Sequence, residues 1–590
     1  MVALAIPSEQ QALADEVSKA LDRQGDRPVQ EVLGELGVAS LLEDGGTLLD
    51  AAMVAEAAGR YGLVVYPDER ILVAAACVGM AQRGIDLASA YACERMVFGR
   101  PIGEYQGISH ALAQAVTEVE GTRLLIWRAI AARAEGLPDA ASLDVQAWWW
   151  AAKATTLALR TSIRTFGGYG VSEDSPLPAL YRAAREVLLA NGDPDLVLTG
   201  PLPDLAPTPA VPISFAMDAE AVEWAERTRK FLAENFTADD KRAFFNSDDK
   251  HLPELHQKLA AAGLLYPEWP KEWGGSGVGA EAGSAVHREL SLAGWPISVM
   301  QVSHMIGTLI NRFGTAEAKA EILPRLASGE AIACIGLSEP SGGSDVFGAR
   351  TKAEHDGKCW SVNGQKVFTT SAHVASYVML LTRAMDGLTL FAAPLGEGFD
   401  LAPVLTLAGE RTNITFYSDF KIPDKFLLGD AAKGTKVLGA VMTMEHSVCD
   451  YYMGAMLNAQ ADLREALPEI MGLPGMAANE PAIRLSVAKL DAHIALLESL
   501  SWRAISASQQ GGSQRWYGPM AKLFGSESWE ACFSELTQRF APHSLTGANE
   551  VLSLIEREAR SGLQSTIYGG TTEVQRSIIA ETRLGLPRSR

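Results

Sequence analysis

Residues 336–348 read Gly336-Leu-Ser338-Glu-Pro-Ser-Gly342-Gly343-Ser344-Asp-Val-Phe-Gly348. A short strand-like run at 331–335 leads into this turn, where backbone N–H groups lie bare. Glycine has no Cβ to hold the backbone away, so such a turn can wrap a flat polar ring or an anion at close range. Ser338 and Ser344 add hydroxyls that donate or accept. A second segment, Trp360-Ser-Val-Asn363-Gly364-Gln-Lys-Val-Phe368-Thr369-Thr370-Ser371, reads as strand, Asn-Gly turn, strand, which predicts a hairpin. One Gly/Ser-rich loop by itself is an ordinary turn; the two segments in this order argue for a ligand site. Further on, Glu445 sits beside apolar Met442 and Met444, surroundings that raise a carboxylate's pKa and make it a stronger base. The alternative for Glu445 is a solvated glutamate on a helix. Tyr568-Gly569-Gly570-Thr571 is either a place of close backbone approach or a plain tight turn.

Together the segments at 336–348 and 360–371 resemble the flavin-binding β-domain of acyl-CoA dehydrogenases. The resemblance implies FAD as cofactor, with Ser338, Gly343, Ser344, Phe368, Thr369 and Thr370 in its cradle. It implies an acyl-CoA substrate met by Ser344, Ser371, Tyr568 and Gly569. The family takes an α-proton with a carboxylate and passes the β-hydride to the flavin. Because that α-proton is weakly acidic, the chemistry needs a desolvated base and donors on the thioester oxygen. Many members carry the base in a Tyr-Glu-Gly-Thr segment, where this chain has Gly569. Branched- and long-chain members carry it at the start of the first helix after the β-domain, where this chain has Glu445. The resemblance makes Glu445 the candidate base and the Gly569 N–H the candidate oxyanion donor. It places Thr571 and Glu573 at flavin-contacting positions, and Phe368 where many members have Trp.

The family's diphosphate clamp is an Arg-x-x-Phe-Gly…Gln element, supplied by a neighbouring subunit. Here its match is Arg95-Met-Val-Phe98-Gly99-Arg100-Pro-Ile-Gly-Glu-Tyr-Gln106, followed by Gly167-Gly168, with Arg164 where a Gln is usual. Arginine suits a diphosphate through its fixed charge and forked donors. A weak internal repeat explains why the clamp lies so far ahead of the cradle. Val32-Leu-Gly-Glu-Leu36-Gly-Val-Ala-Ser-Leu-Leu42 is echoed by Leu255-His-Gln-Lys-Leu259-Ala-Ala-Ala-Gly-Leu-Leu265. The chain resembles two fused family copies. The first, 1–192, is all helical and lacks the β-domain; Glu69-Arg70 keeps only a remnant of a base position. A Pro-rich linker at 193–213 follows, its prolines too dense for a helix. The second copy comprises a helical domain at 214–330, a β-domain at 331–430 and a helical domain at 431–590. Its own clamp is gone, with Ala541-Pro542 in place of Gly-Gly. One FAD per chain, served by both copies, and a homodimer are therefore expected. The pattern is similar to the heteromeric dehydrogenases of steroid side-chain breakdown.

The elements needed to position these residues follow from hydrophobic periodicity: helices over 8–190, helices over 215–330, strands over 331–428, then helices again. The expected fold is mainly α with one β-domain, helical bundles flanking a β-barrel or sandwich, preceded by a degenerate all-α copy. At 590 residues the chain exceeds a single core. Net charge is −20, which disfavours nucleic acid and requires the site of an anionic CoA ester to be a local exception. The longest apolar run, 71–81, is too short for a membrane span. Six scattered cysteines without a CxxC pair and no HExxH motif predict reduced thiols and no metal site. With no secretion-signal pattern at the start, a cytoplasmic location is expected. The resemblance implies an electron-transfer flavoprotein as acceptor. Alternatives are an oxidase-like enzyme using O2 and a non-catalytic binding protein. Gly439, Ala440, Gly454 and Ala455 are either signs of a roomy acyl pocket or ordinary helix-packing contacts.

Overall fold

A computed structural model describes residues 8–23, 27–200, 218–247, 249–385, 387–445, 449–509 and 514–589. The chain divides into two compact units that cut across the two copies. Unit 1 is Met1–Ala216, Ala459–Gly562 and Thr572–Arg590; unit 2 is Met217–Asn458 and Leu563–Thr571.

In chain order, the first copy comprises α1 (Ser8–Asp22), α2 (Val29–Glu35), α3 (Leu48–Gly59), α4 (Arg70–Glu94), β1 (Met96–Val97), β2 (Arg100–Pro101), α5 (Gln106–Ala134), α6 (Ala140–Phe166), α7 (Leu177–Ala190) and α8 (Pro194–Thr199). The helical part of unit 2 follows: α9 (Ala219–Asn235), α10 (Ala238–Asn246), α11 (Pro253–Ala261), α12 (Ala280–Leu292), α13 (Ile297–Phe313) and α14 (Ala316–Ala327). Its strands are β3 (Ala333–Gly336), β4 (Lys352–His355), β5 (Cys359–Lys366), β6 (Tyr377–Ala384), β7 (Gly387–Pro394), β8 (Phe399–Leu405), β9 (Arg411–Pro423) and β10 (Leu427–Leu428). The chain ends with α15 (Thr435–Glu445), α16 (Cys449–Met471), α17 (Glu480–Gln509), α18 (Tyr517–Arg539), α19 (His543–Thr546), α20 (Glu550–Ser565) and α21 (Thr572–Thr582).

Some helices start where a side chain satisfies bare N–H groups. Thr47 and Asp50 form a reciprocal capping box on α3, as Thr237 and Asp240 do on α10. The predicted linker begins later than expected. Pro194 occupies the first turn of α8, where no N–H is needed, and Asp193 accepts the Asp195 N–H at 2.9 Å. The apolar run that the sequence ends near residue 81 is one stretch of the 25-residue α4. That helix is long and apolar enough to cross a membrane, yet most of it is buried inside unit 1, against α3, α5, α6 and α7. A helix covered all round is apolar all round. The α3–α4 crossing is so close that a Cβ on Gly79 would stand 2.0 Å from the Glu56 carbonyl oxygen.

The eight strands of unit 2 pair in the order β10-β7-β6-β4-β5-β9-β8, with β3 added in parallel to β6. No ladder among the described residues closes the sheet into a barrel. The predicted Asn363-Gly364 hairpin is absent. Both residues lie inside β5, which pairs with β9 through a register shift between Val362 and Gly364. Asn363 Oδ1 accepts the Asp419 N–H at 2.8 Å, and a Cβ on Gly364 would meet Thr351 at 2.7 Å. The pair therefore builds a bulge that lets β4 approach.

In unit 1 the helices of the two copies share one core. Helix α5 packs on α17 and α21, and Gly121 leaves room for Leu496. Arg128 and Glu498, both almost wholly buried, pair at 3.0 Å, and Trp150 Nε1 donates to the Ala492 carbonyl. Glu120 accepts from Arg123 at 2.6 Å and from Arg583 at 2.5 Å. Burial alone would push the Glu120 carboxyl up; the two guanidiniums outweigh it and hold the pKa at about 2. Glu498→Ala should remove the buried Arg128 charge's carboxylate partner and cost about 3–5 kcal/mol, read as a lowered unfolding midpoint in denaturant.

Candidate flavin and thioester site

The cradle is built in unit 2 around a buried charge. The Glu339 carboxylate receives the Arg350 N–H at 2.8 Å, the Thr351 N–H at 2.9 Å and Lys366 Nζ at 2.8 Å. Lys366, itself fully buried, also donates to the Leu337 carbonyl. Glu339 and Gly342 exchange backbone hydrogen bonds, closing the loop, and Asp345 Oδ1 caps the Gly348 N–H. Ser338 is half-buried, its carbonyl fixed by the Val367 N–H. Gly343 and Ser344 are exposed at the tip. A Cβ on Gly343 would meet nothing within 4 Å, so the fold does not demand glycine there. The sequence reading missed Glu339 and Lys366, because a Glu and a Lys 27 residues apart resemble surface residues.

The 368–371 stretch is strained at both ends. Phe368 and Ser371 have φ of 57° and 61°, a left-handed conformation costly for residues with a Cβ. Asn413 pays for it. Its carbonyl accepts the Thr369 N–H at 2.9 Å, and its Nδ2 donates to the Thr369 carbonyl at 3.1 Å. The Thr369 hydroxyl faces that of Thr415, so Thr369 is engaged within the domain. Thr370 and the Phe368 ring are exposed, whereas Ser371 is buried. Asn413 carried no signal in the sequence.

Two of the candidate segments, α16 and the 568–570 turn, approach each other in unit 2. Tyr568 stacks on buried Tyr452 of α16, with ring centroids 6.3 Å apart and planes at 14°. This brings the start of α16 against the Gly569-Gly570 turn, whose φ values of 65° and 79° require glycine. Glu445 closes α15, seven residues before Tyr452; its side chain lies outside the described residues. Gly454 is a packing contact: a Cβ there would strike Ser291 at 2.2 Å.

The clamp lies in unit 1. Phe98 and Gly99, with φ of 53° and 80°, form the two-residue turn of the β1–β2 hairpin, and the Phe98 ring is 92% exposed. Arg95, Phe98, Gly167 and Gly168 line one cavity of about 710 Å³ with Tyr91, Tyr105 and Phe166. Arg164 and Gln106 do not line it. A Cβ on Gly168 would likewise meet nothing within 4 Å. Gln106 instead begins α5, one turn before His110, and Glu573 begins α21, one turn before Ser577. His110 Nε2 and Ser577 Oγ are 2.9 Å apart, so Gln106 of the first copy and Glu573 of the second flank one junction. Thr571 precedes α21 directly. Glu69, the remnant, is paired with Arg133 at 2.9 Å.

Three domain descriptions match the chain. "Acyl-CoA dehydrogenase, C-terminal domain" matches twice, at 66–196 and 446–584; the N-terminal domain matches 218–330 and the middle domain 334–421. The chain belongs to the acyl-CoA dehydrogenase family, whose members are FAD-dependent oxidoreductases. It is 31% identical to acyl-CoA dehydrogenase FadE26 of Mycobacterium tuberculosis, over 57% of this chain and 88% of that one. It resembles the solved ChsE4-ChsE5 complex from Mycobacterium tuberculosis at 27% identity and a TM-score of 0.55, covering 63% of this chain and 99% of that one. The steroid acyl-CoA dehydrogenase Tcur3481-Tcur3483 is similar at 26% identity and a TM-score of 0.56, covering 65% and 100%. The double match of the C-terminal domain accords with two family copies in one chain.

Burial would push the Glu339 carboxyl up; Lys366 and the two backbone N–H groups outweigh this and hold its pKa at about 2, against an ordinary 4.5. Stabilisation from a lowered carboxyl is complete above the ordinary pKa and is lost as pH falls through the folded one. Between about pH 4.5 and 2 the cradle should loosen. Near-ultraviolet circular dichroism should show that loss, and Glu339→Gln should remove the Glu339 part of the pH dependence.

Proposed function

We propose that this chain catalyses the α,β-dehydrogenation of an acyl-CoA thioester, with Glu445 as the base. The observation that carries the reading is the Tyr452–Tyr568 stack, which sets α16, the helix that follows the one ending in Glu445, against the Gly569-Gly570 turn. Glu445 takes the α-proton. Met442 and Met444 beside it in sequence disfavour its charged form and raise its basicity. The Gly569 N–H donates to the thioester oxygen as charge builds there, a fixed dipole that needs no reorganisation. Tyr568 and Ser344 border the acyl and CoA parts. Bound FAD supplies the acceptor for the β-hydride.

One FAD is held per chain, using the cradle at 338–344 and 368–370 with the clamp at Arg95, Phe98 and Gly167-Gly168. The common junction of Gln106 and Glu573 supports this sharing. The likeness to a steroid acyl-CoA dehydrogenase supports a bulky, steroid-type acyl chain, which rests on analogy of fold. An electron-transfer flavoprotein is the proposed acceptor and a homodimer the proposed assembly.

Glu445→Gln should retain flavin and lose turnover by about 10²–10⁴-fold, the usual worth of a positioned base. A variant that still dehydrogenates acyl-CoA at the wild-type rate places the base elsewhere. The visible spectrum of the purified protein should give one flavin per chain, and Arg95→Ala should weaken that binding. No flavin after incubation with excess FAD would favour a non-catalytic protein; peroxide formed during turnover would favour an oxidase.

A further inference from the structure

The strained 368–371 stretch is held from behind by a line of side chains that ends outside the β-domain. Asn413 of β9 is wholly buried, so each of its polar atoms needs a partner. Arg411 Nε lies 3.3 Å from its Oδ1. A guanidinium donates and cannot accept, so the amide oxygen faces Arg411 and the amide NH2 faces the other way. That NH2 meets the Thr369 carbonyl at 3.1 Å, and it lies 3.2 Å from His373 Nδ1. Because the amide presents a donor there, His373 Nδ1 is the accepting nitrogen and the ring carries its proton on Nε2. The Nε2 side faces a carboxylate, with Asp249 Oδ1 3.3 Å away. An acceptor at one ring nitrogen selects the tautomer that accepts at the other.

The histidine is delivered by the loop it supports. The Ser371 carbonyl accepts the Val374 N–H at 3.1 Å and the Ala375 N–H at 3.0 Å. This turn folds His373 back onto Asn413, and its side chain is almost wholly buried. Asp249 comes from the connection between α10 and α11, where its N–H donates to Ser247 Oγ at 3.1 Å. Segments far apart in the sequence thus converge behind Thr369. The Thr369 N–H, carbonyl and hydroxyl are all engaged within unit 2. What the stretch turns outward is the Phe368 ring and Thr370, both exposed. Left-handed backbone at residues with a Cβ persists only where the surroundings over-determine it, and this line of contacts does so.

We infer that His373 is a positioning residue for the flavin cradle. As the Nε2–H tautomer, backed by Asp249, it fixes the Asn413 amide that holds Thr369, and so presets Phe368 and Thr370 for the flavin. The inference rests on the cradle assigned above and is independent of which residue serves as base. A cradle set in advance gives up less freedom when its ligand arrives, so the relay acts on flavin affinity.

Dilution of the FAD-loaded full chain, followed by the rise in fluorescence as flavin leaves, gives the affinity without turnover. The visible spectrum of the bound flavin reports its surroundings. His373→Phe fills the space but offers no acceptor, and should weaken FAD binding about tenfold. His373→Asn, whose amide oxygen can stand where Nδ1 stands, should restore most of the affinity and the wild-type spectrum. Asn413→Asp keeps the shape but has no N–H for Thr369 or His373, and should weaken binding at least as much as His373→Phe. Asp249→Ala, at the exposed end of the line, leaves the core untouched and should weaken binding about threefold. Thermal melts check that the variants are folded. A role in packing alone would give the reverse order, with Phe tolerated at 373 and Asn not. Wild-type affinity in His373→Phe and Asp249→Ala, or no recovery in His373→Asn, overturns the relay and leaves the cradle standing. No flavin on the wild type after incubation with excess FAD overturns cradle and relay together. Acyl-CoA turnover, assayed separately, bears on Glu445 and the reaction.

Discussion

The buried charges between α5 and the C-terminal helices are the constraint on which this molecule depends. A charge taken out of water is tolerated only beside a partner, and here the partners come from different copies. Arg128 of the first copy has Glu498 of the second, and Glu120 of the first has Arg583 of the second as well as its own neighbour Arg123. Gly121 beneath Leu496 sets the distance at which these pairs can form. The first copy is therefore half of a core, and the C-terminal helices of the second copy supply the other half.

Division of labour follows from that shared core. The first copy retains the hairpin bearing Phe98 and the Gly167-Gly168 corner, while the second retains the loop at 336–348 and the Gly569-Gly570 turn. Each has lost what the other keeps. Because α5 and α21 meet through His110 and Ser577, residues from both copies start their helices near the same place. On the proposed reading, losing the β-domain from one copy and the clamp from the other leaves one full set of parts.

Much of this was legible in the sequence where residue type alone carries the meaning. The 336–348 turn announces itself by its glycines and serines, and the Arg-x-x-Phe-Gly element by residue type and spacing, with no distant partner needed to notice either. Failures came where a distant partner decides. Asn363-Gly364 spells a hairpin turn, but β9 and Thr351 recruit it into a bulge. Pro194 spells a linker, but the first turn of a helix tolerates it. Lys366 and Glu339 look like surface residues until the fold encloses them, and Asn413 has no local pattern at all.

The first copy does not end at its last large helix. Helix α8 fastens it, with Trp149 Nε1 donating to Asp195 at 2.7 Å and Lys489 of α17 lying 3.8 Å from the same carboxylate. The contacts between the two copies described in unit 1 join residues up to 200 with residues from 459 onward. Two polypeptides divided between those ranges would each carry one side of these contacts. The peptide connection changes the effective concentration at which the halves meet and fixes their ratio at one to one, leaving the interface itself unaltered. Fused and separate forms of such an enzyme are then the same machine at different dilution, and passage between them needs no new contact.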